Sequence, residues 1–187
     1  MSELSDSYHL RADDQQAGVD LLRKAGLDGY VFPADHGWVA VVAEGEAFQP
    51  NQRLIGASTG VLLHYMHAPD NGWGFELYRD GRRLARYEAE WDHDVRVTVD
   101  EVDRAVLQDV LGDGFRDLDA EGYRRIFHPT FDELMEDTIA GEDTFAERFA
   151  DAAGLTNVSW ISFDYVDSDY DDEPDLAADG VVRVDAG

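Results

Sequence analysis

The sequence contains no cysteine, only one lysine (Lys24) and no long apolar run. The absence of cysteine excludes disulfides, thiolate catalysis, zinc–thiolate sites and iron–sulfur clusters. The longest apolar stretches, such as Val39–Ala43, are far too short to span a bilayer. The first residues also lack the basic and apolar parts of a signal peptide. We therefore expect a cytoplasmic protein that does not associate with a membrane.

Basic residues are scarce in comparison with acidic ones. The chain has 41 Asp and Glu residues against 15 Lys and Arg residues, and its net charge is −26. Such a surface repels nucleic acid, because a nucleic-acid-binding protein needs Lys and Arg to neutralise phosphates. Three interpretations of the acidity remain open: adaptation to salt or a GC-rich coding bias, a docking surface for a basic protein, and mimicry of a nucleic acid.

Common catalytic and cofactor-binding motifs are also absent. The sequence has no phosphate-binding loop, no G-x-G-x-x-G, no G-x-S-x-G and no H-E-x-x-H. Asp167-x-Asp169-x-Asp171 matches the opening of a calcium loop, but Asp172 stands where that loop needs glycine, and Ala178 stands where it needs glutamate. We therefore expect no cofactor and no dedicated metal site.

What is present predicts an α+β fold. The chain has 187 residues and is 44% hydrophobic, which suits a folded protein of one domain. The order of predicted elements is β-α-β-β-α-β followed by further strands. We expect a mostly antiparallel sheet with a ferredoxin-like start extended by a β-meander, packed with several helices from the C-terminal half.

The meander is the clearest pattern in the sequence. Strands are predicted at Val61–His67, Trp73–Arg79 and Arg82–Trp91, because apolar and polar residues alternate there. The turns between them contain Asn71-Gly72 and Asp80-Gly81, and such pairs favour tight hairpins.

The region after the meander is predicted to be mainly helical. We expect a helix capped by Asp100, then further helices, a strand at Asn157–Val166, an extended acidic segment and a last strand at Val181–Val184. Residues 1–99 are thus predicted to form the sheet with one or two helices. Residues 100–187 are predicted to form a helical part with an acidic tail, packed with the first part as one compact domain.

Two groups of residues are candidates for binding a protein partner. The first is the acidic segment of Asp167, Asp169, Asp171, Asp172 and Glu173, which would attract a basic surface. The second consists of Trp38 and Trp73, because a tryptophan at the rim of a sheet is a good anchor for a partner. Packing in the core is the alternative role for both tryptophans.

A second set of residues is a candidate for binding a small ligand. His64 and His67 lie three apart, a spacing that places them on opposite faces of a strand. The basic cluster around the Asp80-Gly81 turn could hold a phosphate or a carboxylate. Alternatively, these arginines pair with Glu76 and Glu88 across the hairpin. The cluster consists of Arg79, Arg82, Arg83 and Arg86.

We interpret the sequence as that of a non-enzymatic protein-binding module. Its most concrete form is an acidic inhibitor of the immunity or antitoxin type, which covers the basic active site of a toxin. The alternatives are a small enzyme or ligand-binding domain with a pocket on the sheet face, and an acidity that reflects salt adaptation alone.

Overall fold

The structure of the chain is a computed structural model that describes residues 4–91, 95–100, 103–130, 132–134, 136, 144–172 and 175–187. Within these residues the protein is α+β, with one eight-stranded sheet in which every neighbouring pair of strands is antiparallel. The predicted class is thus confirmed. The strands are β1 (Ser5–Arg11), β2 (Gly29–Val31), β3 (Trp38–Ala43), β4 (Val61–Ala68), β5 (Gly72–Arg79), β6 (Arg82–Trp91), β7 (Val95–Asp100) and β8 (Val182–Val184).

Some helices begin or end at residue types that favour helix termini. Gly26 adopts the left-handed conformation that ends the first helix, and Thr144 and Glu147 form a capping box at a later one. The helices are α1 (Gln16–Ala25), α2 (Gln52–Ala57), α3 (Arg104–Leu111), α4 (Asp113–Asp117), α5 (Ala120–Phe127), α6 (Phe145–Ala153), α7 (Phe163–Asp172) and α8 (Asp175–Ala178).

The sheet combines a four-stranded group with a meander. The sheet runs β7-β6-β5-β4-β1-β3-β2-β8, so the meander β4 to β7 extends one side of the four-stranded group β4-β1-β3-β2. Helix α1 connects β1 to β2, and helix α2 connects β3 to β4. The ferredoxin-like classification of this start stays a prediction.

Helices cover the two faces of the sheet unequally. On one face, which we call the α1 face, α1 and α2 pack on β1, β3 and β4, where Leu22 and Leu54 contact a cluster that includes Val41 and Leu62. On the opposite face, which we call the α6 face, α3 to α6 pack on the meander, and Phe149 belongs to the same cluster as Phe75 and Tyr65. Helix α7 covers β2 and β3 on that same face.

A bulge changes which side chains of the meander share a face. Leu77 lies opposite Ala85, but Tyr78 lies opposite Arg83, so Leu84 is an extra residue in β6. Strict alternation would place Arg83 and Arg86 on opposite faces. The bulge brings both arginines to the α1 face.

The predicted strand at Asn157–Val166 is wrong. Residues 157–162 form no regular strand, and Phe163 begins helix α7. Phe163, Val166 and Tyr170 follow the helical spacing and pack in one cluster with Tyr30. A short run with mixed apolar spacing fits both periods, and packing against the sheet decides between them.

Two further details differ from the prediction. Asp103, not Asp100, caps α3 through a bond from the Ala105 N–H, because Asp100 continues β7 and lies opposite Arg86. The acidic segment after Asp164 is not extended, since it is helical through Asp172.

The C-terminal part of the chain returns to the sheet. Strand β8 pairs with β2, and the largest apolar cluster joins residues from before and after position 99. The division into parts at residues 1–99 and 100–187 stays a prediction. Among the described helices, none combines the length and apolar character needed to cross a membrane.

Candidate functional site

A buried histidine–carboxylate pair lies at the centre of the α1 face. His64 Nε2 is 2.6 Å from Asp6 Oδ1, and the His64 side chain is fully buried. The Tyr8 ring stacks on the imidazole, with ring centroids 4.3 Å apart and planes 7° apart. Burial raises the pKa of the Tyr8 phenol, so this ring stays neutral at physiological pH.

Asp6 and Tyr8 hold the loop of residues 44–51 against the sheet. The Phe48 N–H donates to Asp6 Oδ2 at 2.7 Å, and the Asn51 N–H donates to the Tyr8 hydroxyl at 2.8 Å. The loop is therefore attached to β1 by two hydrogen bonds to side chains on the α1 face.

Two of the four predicted arginines come together around a buried carboxylate. Arg83 Nη1 and Arg86 Nε lie 3.6 Å and 3.4 Å from Glu76 Oε1, and the Tyr78 hydroxyl donates to Glu76 Oε2. Arg86 also donates to Glu88 at 2.5 Å. The protein's own carboxylates thus neutralise this pair, as the alternative interpretation of the cluster expects.

The remaining members of the predicted ligand-binding set lie elsewhere. Arg79 pairs with Asp109 at 3.3 Å on the surface, and Arg82 is exposed at the start of β6. His67 is buried on the face opposite His64, with its ring 6.5 Å from that of Tyr65. The structure therefore joins His64, Arg83 and Arg86 on one face and separates the other three residues from them.

Both tryptophans proposed as partner anchors are buried. Trp38 is 1% exposed, and its Nε1–H donates to the Ala153 carbonyl at 2.9 Å. Trp73 is 3% exposed and packs against Tyr87 and Phe149. Because the helices of the α6 face cover them, these residues serve the core and offer no surface to a partner.

The predicted acidic segment is placed mainly on α7. Asp167 accepts a hydrogen bond from the Tyr30 hydroxyl at 2.6 Å, which attaches the helix to β2, and Asp169 is exposed. Asp171 and Asp172 lie within the last turn of the helix. Glu173 lies outside the described residues.

An exposed tryptophan that the sequence analysis did not single out precedes α7. Trp160 is 52% exposed and has a positive φ of 52°, which is uncommon for a residue other than glycine. Its ring centroid lies 6.0 Å from that of Tyr165. One signal was available: in the alternating pattern of residues 157–166, Trp160 falls on the same side as Ser162 and Asp164.

Beside Trp160, an acidic cleft of about 190 Å³ lies between the loop of residues 44–51 and the start of α7. Among the described residues that line it, four are acidic and none is basic. Tyr165 lines the cleft and also contacts Trp160, so the two features form one surface. We call this the Trp160 surface; it consists of Trp160, Tyr165, Asp6, Glu44, Glu46 and Asp164.

The arrangement is suited to binding a cation rather than an anion. Carboxylates bind guanidinium and ammonium groups through charge-assisted hydrogen bonds, and aromatic faces attract the same groups. In the described ranges of the chain, no group of three or more His, Asp and Glu side chains could hold a metal ion.

No protein-family model matches the chain, and no curated protein or solved structure is significantly similar to it. What the Trp160 surface binds is therefore inferred from the residues of that surface alone.

Proposed function

We propose that this protein is a non-catalytic binding module that engages a basic protein through the Trp160 surface. The observation that carries the proposal is the exposed Trp160 beside a cleft whose described lining has four acidic residues and no basic one. Tryptophan is the residue type most often found among the dominant contacts of protein interfaces. A partner that covers Trp160 would remove its apolar ring from water and thereby gain binding free energy.

The cleft supports a specific kind of contact. An arginine of the partner would present a planar fork to the carboxylates of Glu46 or Asp164 and stack its guanidinium against Tyr165. The cleft volume of about 190 Å³ is adequate for one such side chain but smaller than most pockets that bind drug-sized molecules. This favours insertion of a side chain from a protein.

The net charge supports the same partner class. A charge of −26 speeds the approach of a basic protein and slows the approach of nucleic acid. In its most specific form, the proposal is an inhibitor of the immunity or antitoxin type, whose carboxylates occupy the places of substrate phosphates on a basic toxin.

The test begins with capture of a stoichiometric partner from host lysate, followed by purification of that partner. Its Kd is then measured against wild type and Trp160→Ala. We expect a loss of affinity of about thirtyfold, the equivalent of a 2 kcal/mol interface contact, mainly through faster dissociation. The substitution removes no charge, so attraction by charge alone predicts no change.

Charge variants separate the cleft from the general acidity. The double variant Glu46→Gln/Asp164→Asn should slow association and reduce its salt dependence. The matched control Asp109→Asn/Asp113→Asn removes two charges near α3 and α4, and we expect it to retain affinity within about twofold. Equal losses in both double variants, together with unchanged binding by Trp160→Ala, would leave only salt adaptation or unspecific attraction as the explanation.

A further inference from the structure

The helices that the structure describes leave part of the α1 face of the meander uncovered. Helices α1 and α2 cover β1, β3 and β4, whereas Glu88 on β6 is partly exposed and Glu90 is exposed. A hollow of about 340 Å³ lies on this open part of the sheet, near the β4–β5 turn. That volume falls within the usual range for small-ligand pockets.

Two glycines create the hollow. Across the three strands, Gly74 lies between Met66 and Glu88. In the next row, Gly72 lies between Ala68 and Glu90. Because glycine has no side chain, the floor of the hollow is bare backbone in the middle strand.

Substitution of the floor is blocked by close packing of the backbone. A Cβ atom at Gly74 would lie 2.7 Å from the Tyr87 carbonyl oxygen, and one at Gly72 would lie 2.3 Å from that of Ala89. The glycines therefore allow β5 and β6 to approach closely.

The two walls differ in chemistry. Met66 and Ala68 on β4 form an apolar wall, and Glu88 and Glu90 on β6 form an acidic wall. Since neighbouring strands are about 4.8 Å apart, the walls are separated by roughly 10 Å at the backbone. An elongated group with an apolar stem and a positive end would fit between them.

Phe48 completes the apolar side of the hollow. It has a positive φ of 61°, and its N–H donates to the Asp6 carboxylate that pairs with buried His64. Non-glycine residues adopt this conformation only where surrounding contacts hold them, often beside a ligand. The Asp6 carboxylate thus holds the Phe48 backbone at the edge of the hollow.

We propose that the hollow formed by Phe48, Met66, Gly72, Gly74, Glu88 and Glu90 binds an alkylammonium group. The apolar wall and Phe48 take the alkyl stem, and the two carboxylates take the ammonium. Arg86 donates to Glu88 Oε2, so the ammonium would bind at the other oxygen of this carboxylate, Glu88 Oε1. The proposal is separate from the Trp160 surface and does not depend on its function.

The same chemistry has two sources, a free aliphatic amine and the side chain of a peptide lysine. The test measures binding of four probes to the full chain by calorimetry in 150 mM salt. They are pentylamine, 1,5-diaminopentane, Nα-acetyl-lysine-methylamide and the neutral analogue pentanol. We expect the cationic probes to bind at least tenfold more tightly than pentanol, which cannot pair with the carboxylates.

Variants assign the binding to the hollow. Glu88→Gln/Glu90→Gln should weaken the cationic probes at least tenfold, and Phe48→Ala should weaken them severalfold. The control Asp20→Asn/Asp113→Asn removes two exposed charges elsewhere and should keep affinity within about twofold. All these side chains are at least partly exposed, and circular dichroism verifies that each variant is folded.

The four probes distinguish a free aliphatic amine from the side chain of a peptide lysine. Tighter binding of Nα-acetyl-lysine-methylamide than of pentylamine and 1,5-diaminopentane would assign the hollow to a lysine side chain of a peptide. The reverse order would assign it to a small amine. Equal losses in the hollow variant and the control would overturn the proposal, as would equal affinity for pentanol or the absence of binding to wild type.

Discussion

A buried histidine makes the stability of this protein dependent on pH. His9 on β1 is fully buried on the α6 face, where its Nε2 contacts Ser7 Oγ at 3.0 Å. Its Nδ1 has no hydrogen-bond partner among the described residues. Burial lowers the pKa of His9 from 6.5 to about 3, and the nearby His64 adds to this decrease.

The sign of the effect follows from these two pKa values. In the folded protein His9 stays neutral down to about pH 3, whereas in the unfolded chain it binds a proton below about pH 6.5. The unfolded state therefore binds more protons between these values, so the free energy of unfolding falls as the pH falls. Between pH 7 and pH 5, His9 alone should remove roughly 2 kcal/mol.

The assay is urea denaturation of wild type and His9→Gln at pH 7 and pH 5. Glutamine cannot titrate, so the loss of stability between the two pH values should be roughly 2 kcal/mol smaller in the variant. His128→Gln changes an exposed histidine and serves as the matched control. An identical loss in wild type and His9→Gln would refute burial of a neutral imidazole as the cause.

Three further substitutions test the packing of the helices on the sheet, each by urea denaturation at pH 7. Phe149→Ala should cost about 3–5 kcal/mol, because Phe149 is buried and stacks on Phe75 at 4.3 Å; a loss below about 1 kcal/mol would contradict this packing. Trp38→Phe should cost about 1–2 kcal/mol, since the Ala153 carbonyl loses its buried donor, and unchanged stability would contradict that bond. Thr144→Ala should cost about 1 kcal/mol by removing the cap of α6, whereas Thr144→Ser should restore most of it.

The two proposed sites share one structural element. Residues 44–51 line the acidic cleft, and Phe48 from the same loop lines the hollow on the open sheet. Asp6 and Tyr8 hold this loop by its backbone N–H groups. Asp6 therefore supports both sites through this loop, and the His64 side chain that pairs with Asp6 is fully buried.

Local sequence determined much of the fold. The Asp80-Gly81 turn adopts positive φ at both residues, as the tight hairpin requires, and the alternation in residues 85–90 predicts the covered and open faces of that part of β6. The end of α1 at Gly26 likewise depends on one residue and its neighbours. Such features are predictable because turn chemistry and side-chain period act over a few residues.

Tertiary structure decided the features that depend on distant partners. The pattern of residues 157–166 predicts a strand, but Phe163 begins a helix that packs beside Tyr30. The bulge at Leu84 brought Arg83 and Arg86 to one face, which alternation alone does not predict.

The candidate sites depended on tertiary structure even more. Four tryptophans look alike in the sequence, but helices cover Trp38 and Trp73 and leave Trp160 exposed. Asp6 and His64 are 58 residues apart and meet because β1 and β4 are neighbours. Sequence by itself determined the charge, the strands of the meander and the turns between them, because these depend on local residues. Which side chains are buried, paired or exposed was decided by the strand order and the helices packed on it.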